Sequence, residues 1–159
     1  MQKILVSACL LGNPVRYDGA SRPCAAVQEL VGRFQLVPVC PECLGGLPIP
    51  RTASEIVQTA PELRVMSADG EDRTAAFLEG ARRCVEVAQR EGCTLAIMKA
   101  KSPSCGSGAV YDGTFTGALV PGDGVATRLL TSAGVRVISE NDVESWLVEC
   151  AGGGGNRER

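Results

Sequence analysis

Residues 98–113 read MKAKSPSCGSGAVYDG, and this stretch decides how the remainder of the chain is organised. It follows the apolar run TLAIM at residues 94–98, which predicts a buried strand. A polar loop after a buried strand is where an α/β protein places its chemistry. Gly106 and Gly108 allow the backbone to come close to a bulky group beside Cys105. Alone, the stretch could also be a simple turn, so its meaning depends on the other strand ends.

The chain on either side of this stretch alternates between strand and helix patterns. Apolar runs predict strands at residues 3–8, 35–39, 94–98 and 135–139, with a further short strand at 63–68. Helical spacing predicts helices at 25–34, 74–91, 122–133 and from an Asn141 cap to about 149, whereas 10–20 and 41–50 are predicted loops. The alternation predicts one α/β domain over residues 1–150, with a mainly parallel sheet and helices on both faces in a Rossmann-like arrangement. Residues 151–159 are expected to form a disordered or frayed tail.

The composition restricts the partners and the compartment of the protein. The net charge is −2 and no basic face is evident, so binding to a long nucleic acid is not expected, whereas a single base or nucleotide is not excluded. No apolar run reaches the roughly 18 residues of a membrane span. The N-terminus reads as a strand rather than as a signal peptide, so we expect a cytoplasmic protein.

The chain contains eight cysteines and no histidine. In a reducing compartment, such cysteines indicate metal binding, catalysis or burial rather than disulfides. The absence of histidine excludes Ser-His-Asp and Cys-His catalysis as well as histidine-ligated metals. An enzyme of this composition must therefore work with carboxylates, thiolates, lysines, hydroxyls or a cofactor.

Three cysteines follow three predicted strands. Cys9 comes after the first strand, Cys40 comes after the second, and Cys105 lies in the loop after the 94–98 strand. Because parallel strands end at the same edge of a sheet, these thiols are expected to converge at the crevice where such folds bind ligands. Cysteines that were merely buried would be scattered over helix faces and strand centres. The pattern therefore predicts a metal-binding cradle.

The remaining cysteines show no such pattern. Cys84 lies on the apolar stripe of the 74–91 helix and is interpreted as a core residue, and Cys24, Cys93 and Cys150 are interpreted as incidental. Cys43 forms a C-x-x-C motif with Cys40, which could be a thioredoxin-like redox pair. The neighbouring Pro and Glu offer no cation that would lower a thiol pKa, which disfavours the redox interpretation.

Three thiolates could hold either a catalytic zinc with an open fourth position or a [4Fe–4S] cluster with one iron that has no protein ligand. That iron could act as a Lewis acid for a soft atom such as sulfur. Ligation by cysteine without histidine favours the cluster.

Several polar residues near the predicted edge could take part in the chemistry. Glu42, beside the metal site, could transfer a proton to water or substrate, or could simply be a structural hydrogen-bond acceptor. Ser102 and Ser104 could bind a ligand or stabilise their own turn. The cations Lys99, Lys101 and Arg51 could neutralise an anionic cluster or a phosphate, or could be ordinary surface charges.

Three motifs in this chain resemble those of the thiouracil desulfidase family of small bacterial proteins. They are SACLLG at 7–12 with VRYDG at 15–19, CPE at 40–42 with LGGLP at 44–48 and PR at 50–51, and KSPSCGSG at 101–108 with YDGTF at 111–115. The resemblance covers residues 3–148, and the motifs occur in the same order.

The resemblance implies a [4Fe–4S] enzyme that removes sulfur from thiolated uracils without net redox change. It assigns the cluster ligands to Cys9, Cys40 and Cys105. The substrate sulfur would bind the free iron, water would attack the activated carbon, and sulfide would leave on the cluster. The resemblance also implies that Glu42 is the general acid/base and that Ser102 positions the substrate or relays a proton.

Cys43 departs from the family pattern, where this position is not usually cysteine. If Cys43 reached the fourth iron, the protein would be a non-catalytic iron–sulfur or zinc protein with four cysteine ligands; we expect instead that it points away. A zinc hydrolase of a small nucleoside-like substrate is a further alternative. Larger family members that act on transfer RNA carry an additional domain, so a free thiolated pyrimidine base or nucleotide is the expected substrate.

Overall fold

A computed structural model describes residues 1–152 of the chain. The strands are β1 Lys3–Ser7, β2 Gln35–Val39, β3 Ser54–Gln58, β4 Arg64–Ser67, β5 Leu95–Met98, β6 Ala109–Tyr111, β7 Leu119–Pro121 and β8 Arg136–Ser139. The α-helices are α1 Ala25–Gln28, α2 Pro41–Leu44, α3 Thr74–Glu91, α4 Val125–Ser132 and α5 Val143–Gly152. No helix in this part of the chain combines the length and the apolar character needed to cross a bilayer.

The centre of the fold is a four-stranded sheet in the order β2-β1-β5-β8, with every neighbouring pair parallel. All four residues of β5 are buried, as expected for a strand covered on both faces. The predicted parallel sheet is therefore confirmed, and its four strands agree with the predicted ones to within a residue at either end. Because β1 lies between β2 and β5, the chain reverses its direction of winding there, which opens a crevice at the carboxyl ends of these strands.

Helices cover both faces of this sheet, as predicted. On one face, Phe77 of α3 and Leu130 of α4 pack in a buried cluster with Leu5 and Met98. On the other face, the cluster joins Ile4, Val6, Leu95 and Ile97 to α1 and α5 through residues such as Val27 and Trp146. The longest helix, α3, buries one apolar stripe and exposes charged residues on its other side, as an amphipathic surface helix does.

The segment 41–50 was predicted to be a loop, and this prediction is wrong for its first four residues. Pro41 occupies the first position of α2, where its fixed φ is compatible with a helix and its missing N–H costs nothing. Gly45 and Gly80 place α2 directly against α3, since a Cβ at Gly80 would overlap the carbonyl oxygen of Pro41. This close packing of two backbones fixes the strand-to-helix turn that carries Cys40.

Two other helix predictions require correction. The predicted helix 25–34 ends as an α-helix at Gln28, and the chain continues in tight turns to Gly32, which adopts a φ of 91°. The last helix is preceded by a 3₁₀ turn, Glu140–Asp142, and the residue that caps this turn is Ser139 rather than Asn141. Ser139 accepts a hydrogen bond from the Asn141 backbone N–H, and it forms a capping box with Asp142.

Helix α5 extends to Gly152, two residues beyond the predicted domain boundary at residue 150. The rest of the predicted tail, residues 153–159, lies outside the described residues.

Two antiparallel pairs, β3-β4 and β6-β7, form small sheets of their own. Only β4 was predicted, as part of the 63–68 strand; the segment containing β3 had no assignment, and β6 was taken as part of the loop after β5. Ser54 and Glu55 of β3 and Tyr111 of β6 border the same cavity as the ends of the central strands. These pairs therefore form a second wall opposite the sheet.

Candidate active site

A cavity of about 470 Å³ opens at the carboxyl ends of β1, β2 and β5. Its lining includes all five residues that the sequence predicted for the site: Cys9, Cys40 and Cys105 as ligands, and Glu42 and Ser102 for catalysis. This volume is typical of a pocket for a small ligand or cofactor. The topology thus brings together residues that lie up to a hundred positions apart in the chain.

The three thiols are held by local structure at the strand ends. Cys9 lies in a turn of 3₁₀-helix, Ala8–Leu11, directly after β1, and Cys40 is the capping residue that precedes α2. Cys105 follows β5 by a loop in which Gly106 leaves no room for a side chain, since a Cβ there would lie 2.7 Å from the Ser102 carbonyl oxygen. Each thiol is therefore fixed by backbone geometry rather than by a flexible segment.

Burial perturbs all three thiols in the same direction. Burial raises the pKa of Cys9 to about 11, with a further contribution from Cys105, and burial also raises the pKa of Cys40 well above its ordinary value. Burial raises the pKa of Cys105 as well, although hydrogen bonds from serine hydroxyls oppose this effect. Without a metal, the thiols are consequently protonated at neutral pH, and a metal group must displace these protons to bind.

Both oxygens of Glu42 are engaged by neighbouring side chains. Arg51 donates from Nε to Glu42 Oε1 at 2.9 Å, and Ser104 donates from Oγ to Glu42 Oε2 at 3.0 Å. The Arg51 side chain is only 3% exposed, and it also donates from Nη2 to the Val15 carbonyl oxygen at 3.0 Å. Arg51 is therefore a buried partner of Glu42, and this contact fixes the direction in which the carboxylate points.

Ser104 has a more central position than the sequence indicated. Its hydroxyl lies 3.0 Å from Glu42 Oε2 and 3.7 Å from Cys105 Sγ, so it connects the carboxylate to a predicted ligand. The hydroxyl of Ser102 accepts hydrogen bonds from the backbone N–H groups of Ser104 and Cys105, at 3.1 and 2.8 Å. The two hydroxyl oxygens are 3.1 Å apart, which gives a continuous row from Ser102 through Ser104 to Glu42.

The comparisons with known proteins agree with this geometry. The sequence profile of the family described as 2-thiouracil desulfurase matches residues 4–142. The chain belongs to this family. A relative of the chain is the uncharacterized protein YbbK of Bacillus subtilis (strain 168). The two sequences are 41% identical over 150 residues, which cover 91% of this chain and 99% of YbbK. The structure is similar to that of TudS, a [4Fe–4S]-dependent thiouracil desulfidase, with a TM-score of 0.86, 38% identity, and coverage of 95% of this chain and 99% of TudS.

Cations surround the thiols of this 2-thiouracil desulfurase family member. Burial and the neighbouring Cys105 thiol raise the pKa of Cys9. The positive charges of Arg16 and Lys99 act in the opposite direction and lower it. Lys99 is paired with Glu140 at 3.2 Å. Within residues 1–152, the buried Nη1 of Arg16 has no hydrogen-bond partner, and Asp18 lies 4.0 Å away. A buried N–H group of this kind can donate a hydrogen bond to an acceptor atom of a bound group.

Cys43 lies outside the set of described residues that line the cavity of this desulfurase family member. Its Sγ is 3.8 Å from the Val15 carbonyl oxygen and 3.9 Å from Nη1 of Arg51. The expectation that no cation lies near the C-x-x-C pair is therefore wrong, because the chain turns back after α2 and brings Arg51, eight residues after Cys43, against it. Over residues 1–152, no three Cys, Asp or Glu residues form a group suited to hold a single metal ion.

The other cysteines lie away from the cavity lining. Cys84 on α3 and Cys93 are buried in the same core cluster, whereas Cys24 and Cys150 pack against the cluster on the opposite face of the sheet. Burial raises the pKa of Cys84 far above its ordinary value, in keeping with its interpretation as an inert core residue.

Proposed function

We propose that this protein removes sulfur from a thiolated uracil and returns uracil and sulfide. The observation that carries the proposal is the convergence of Cys9, Cys40 and Cys105 with Glu42 in a single cavity. The family match and the similarity to TudS, which its name describes as [4Fe–4S]-dependent, support the same activity and the same cofactor. The cofactor is a [4Fe–4S] cluster.

The residues of the cavity fit such a cluster. Three thiols come from three separate strand ends; those of Cys9 and Cys105 are buried and that of Cys40 is half-buried. Ligation by cysteine thiolates without histidine favours an iron–sulfur cluster. The unpartnered Nη1 of Arg16 can donate to a sulfide or to a ligand beside Cys9, and its positive charge offsets the negative charge of a thiolate-ligated cluster. When bound to Cys9, Cys40 and Cys105, the cluster supplies one iron without a protein ligand, a Lewis acid for the substrate sulfur.

The remaining steps belong to side chains of this chain. Water replaces sulfur at the thiocarbonyl carbon, so the C=S double bond is exchanged for a C=O double bond, and the two protons of the water leave with the sulfur as hydrogen sulfide. We assign Glu42 as the general base that takes a proton from this water and later returns it as the general acid. Arg51 holds Glu42 in one orientation, since it donates to Oε1 and leaves Oε2 toward Ser104.

The two serines offer a path for this proton. The Ser104 hydroxyl donates to Glu42, so the hydrogen of Ser102 is free to point to Ser104 or to a ligand in the cavity. Ser102 retains the role of positioning the substrate or relaying a proton, and Ser104 joins it to the carboxylate.

The position of Cys43 argues against a non-catalytic protein with four cysteine ligands. The Sγ atoms of Cys40 and Cys43 both lie 3.8 Å from the Val15 carbonyl oxygen, but Cys43 also lies 3.9 Å from Nη1 of Arg51 and, unlike Cys40, is absent from the lining of the cavity as far as the chain is described. We further propose that the protein acts in the cytoplasm. We also propose that its substrate is a free thiolated base or nucleotide, because the net charge of −2 does not favour binding to a long nucleic acid.

The test is anaerobic reconstitution with iron and sulfide, followed by incubation with 2-thiouracil and 4-thiouracil. We expect a brown protein that converts a thiouracil to uracil and releases one sulfide for each uracil formed. A protein that acquires four irons and four sulfides but releases no sulfide from either compound would refute the assignment.

Three variants connect this activity to the site. Cys105→Ser should lose both the cluster and turnover, whereas Glu42→Gln should keep the cluster absorbance and lose at least about 100-fold in kcat, the usual contribution of a general base. Cys24→Ser is the matched control, because Cys24 is a half-buried cysteine that does not line the cavity as far as the chain is described. Turnover by Cys105→Ser at the wild-type rate would remove that residue from the ligand set.

A further inference from the structure

The six aromatic residues of this chain divide into two groups of three. Phe77, Phe34 and Trp146 belong to the core: Phe77 is a buried residue of α3, and the ring centroids of Phe34 and Trp146 lie 5.4 Å apart. The other three line the cavity that holds the three thiols, namely Tyr17, Tyr111 and Phe115. A chain with so few aromatic residues thus places half of them around one small cavity.

Phe115 is the least expected of these. It lies on the turn between β6 and β7, its side chain is 38% exposed, and its φ is 59°, in the left-handed region that residues other than glycine rarely adopt. It belongs to neither buried cluster, so core packing does not account for it. An apolar ring held at a cavity mouth in an unfavourable backbone conformation indicates a function that needs that placement.

A buried carboxylate holds this turn in place. Glu55 of β3 is 8% exposed, and its Oε1 accepts hydrogen bonds from the backbone N–H groups of Gly113 at 2.9 Å and Phe115 at 3.1 Å. Gly113 packs tightly against β3, since a Cβ there would lie 2.8 Å from the Ile56 carbonyl oxygen. The turn is therefore held against β3, and the backbone position from which the Phe115 ring projects is set before any ligand arrives.

We infer that Phe115 stacks on the pyrimidine ring of the substrate and that Glu55 is the positioning residue that presents it. The inference rests on the proposed function, because it takes the ligand to be a flat aromatic base. In residues 1–152 the Phe115 ring has no aromatic or cationic partner, whereas Tyr17 already has the Arg16 guanidinium 5.5 Å from its ring centroid. The Phe115 ring is accordingly available to a ligand.

A pair of non-reacting ligands isolates the stacking contact. Uracil and 5,6-dihydrouracil present the same carbonyl and N–H groups, but only uracil has a planar aromatic ring. We expect the cluster-loaded wild-type protein to bind uracil more tightly in equilibrium dialysis. Phe115→Ala should weaken uracil binding about tenfold, within the range that base–aromatic stacking contributes, and should bind the two ligands almost equally.

Leu119→Ala is the matched control, because Leu119 lies on the same hairpin and is 43% exposed but does not line the cavity. It should keep the preference for uracil. The role of Glu55 is tested by Glu55→Ala, which should lose the preference as Phe115→Ala does, and by Glu55→Gln, whose amide oxygen can still accept both N–H groups and should retain it.

The outcomes separate this inference from the proposed function. If the wild-type protein releases sulfide from a thiouracil and Phe115→Ala keeps the preference for uracil, the stacking role is refuted while the activity stands. If Phe115→Ala loses the preference but Glu55→Ala keeps it, the positioning role of Glu55 is refuted. If the cluster-loaded wild-type protein releases no sulfide, the proposed function fails and the inference fails with it.

Discussion

Substitution of Gly80 by alanine tests how the site is positioned from a distance. Gly80 lies in the middle of α3, where alanine would normally stabilise a helix by about 1 kcal/mol. Here its Cβ would overlap the Pro41 carbonyl oxygen, and the neighbouring atoms are backbone that cannot rotate away. Helices α2 and α3 would have to separate by about 1 Å or more to restore an ordinary contact.

We expect two measurable effects of Gly80→Ala. Overpacking of this kind costs about 1–3 kcal/mol, so after the gain of about 1 kcal/mol in helix propensity the net loss is up to about 2 kcal/mol, and the melting temperature of the cluster-free protein should fall by up to about 8 °C. The displacement of α2 carries Cys40 and Glu42 with it, and a misplacement of about 1 Å can cost about 100-fold in turnover. Circular dichroism and sulfide release measure the two effects separately.

The control is Gly152→Ala, because Gly152 also lies in a helix and a Cβ there would meet no atom of residues 1–152 within 4 Å. It should leave both the melting temperature and the turnover close to those of the wild type. If Gly80→Ala behaved like this control, the contact between α2 and α3 would not be what positions Cys40, the second proposed ligand.

Three further predictions concern side chains of the cavity. Ser104→Ala should retain the cluster and lose about 10- to 100-fold in turnover, because Glu42 Oε2 loses a buried hydrogen bond; unchanged turnover would exclude a proton path through this hydroxyl. Cys43→Ser should retain four irons and full turnover, and a loss of iron would instead make Cys43 a ligand. In the cluster-free protein, burial raises the pKa values of Cys9 and Cys105, so the reactive thiolate forms only above the ordinary pH range. Alkylation by iodoacetamide, followed by mass spectrometry, should therefore be slow at pH 7 and accelerate toward pH 11, whereas rapid labelling at pH 7 would contradict this burial.

The sequence was sufficient to predict the central sheet and the edge at which the three thiols meet. Continuous apolar runs mark strands that are covered on both faces, and parallel strands must end at a common edge. Cys9, Cys40 and Cys105 could therefore be brought together without any knowledge of contacts, and the cavity does contain all three.

The short elements around the site could not be predicted in this way. Helix α2 has only four residues, and its stability comes from packing against Gly80 of α3 rather than from its own sequence. Strands β6 and β7 have three residues each and exist as a pair, so neither shows a periodic pattern. The conformation of such short segments is set by tertiary contacts, and the local sequence pattern carries no information about those contacts.

The partners of Glu42 were also hidden in the sequence. Ser104 is 62 positions away and Arg51 is nine positions away, and the spacing of neither residue indicates a hydrogen bond to the carboxylate. The only available signal was composition: three serines and a cation close to cysteines at strand ends.

The cavity has two walls of different origin, and this difference has an evolutionary consequence. The thiols come from the rigid parallel sheet and from α2, whereas Tyr111 and Phe115 come from a peripheral hairpin that is attached through Glu55. Insertions or replacements in the turn between β6 and β7 can therefore reshape the entrance without displacing any of the three proposed cysteine ligands. Selection could therefore change which thiolated compound enters the cavity while the three cysteines of the opposite wall, and the chemistry they support, stay the same.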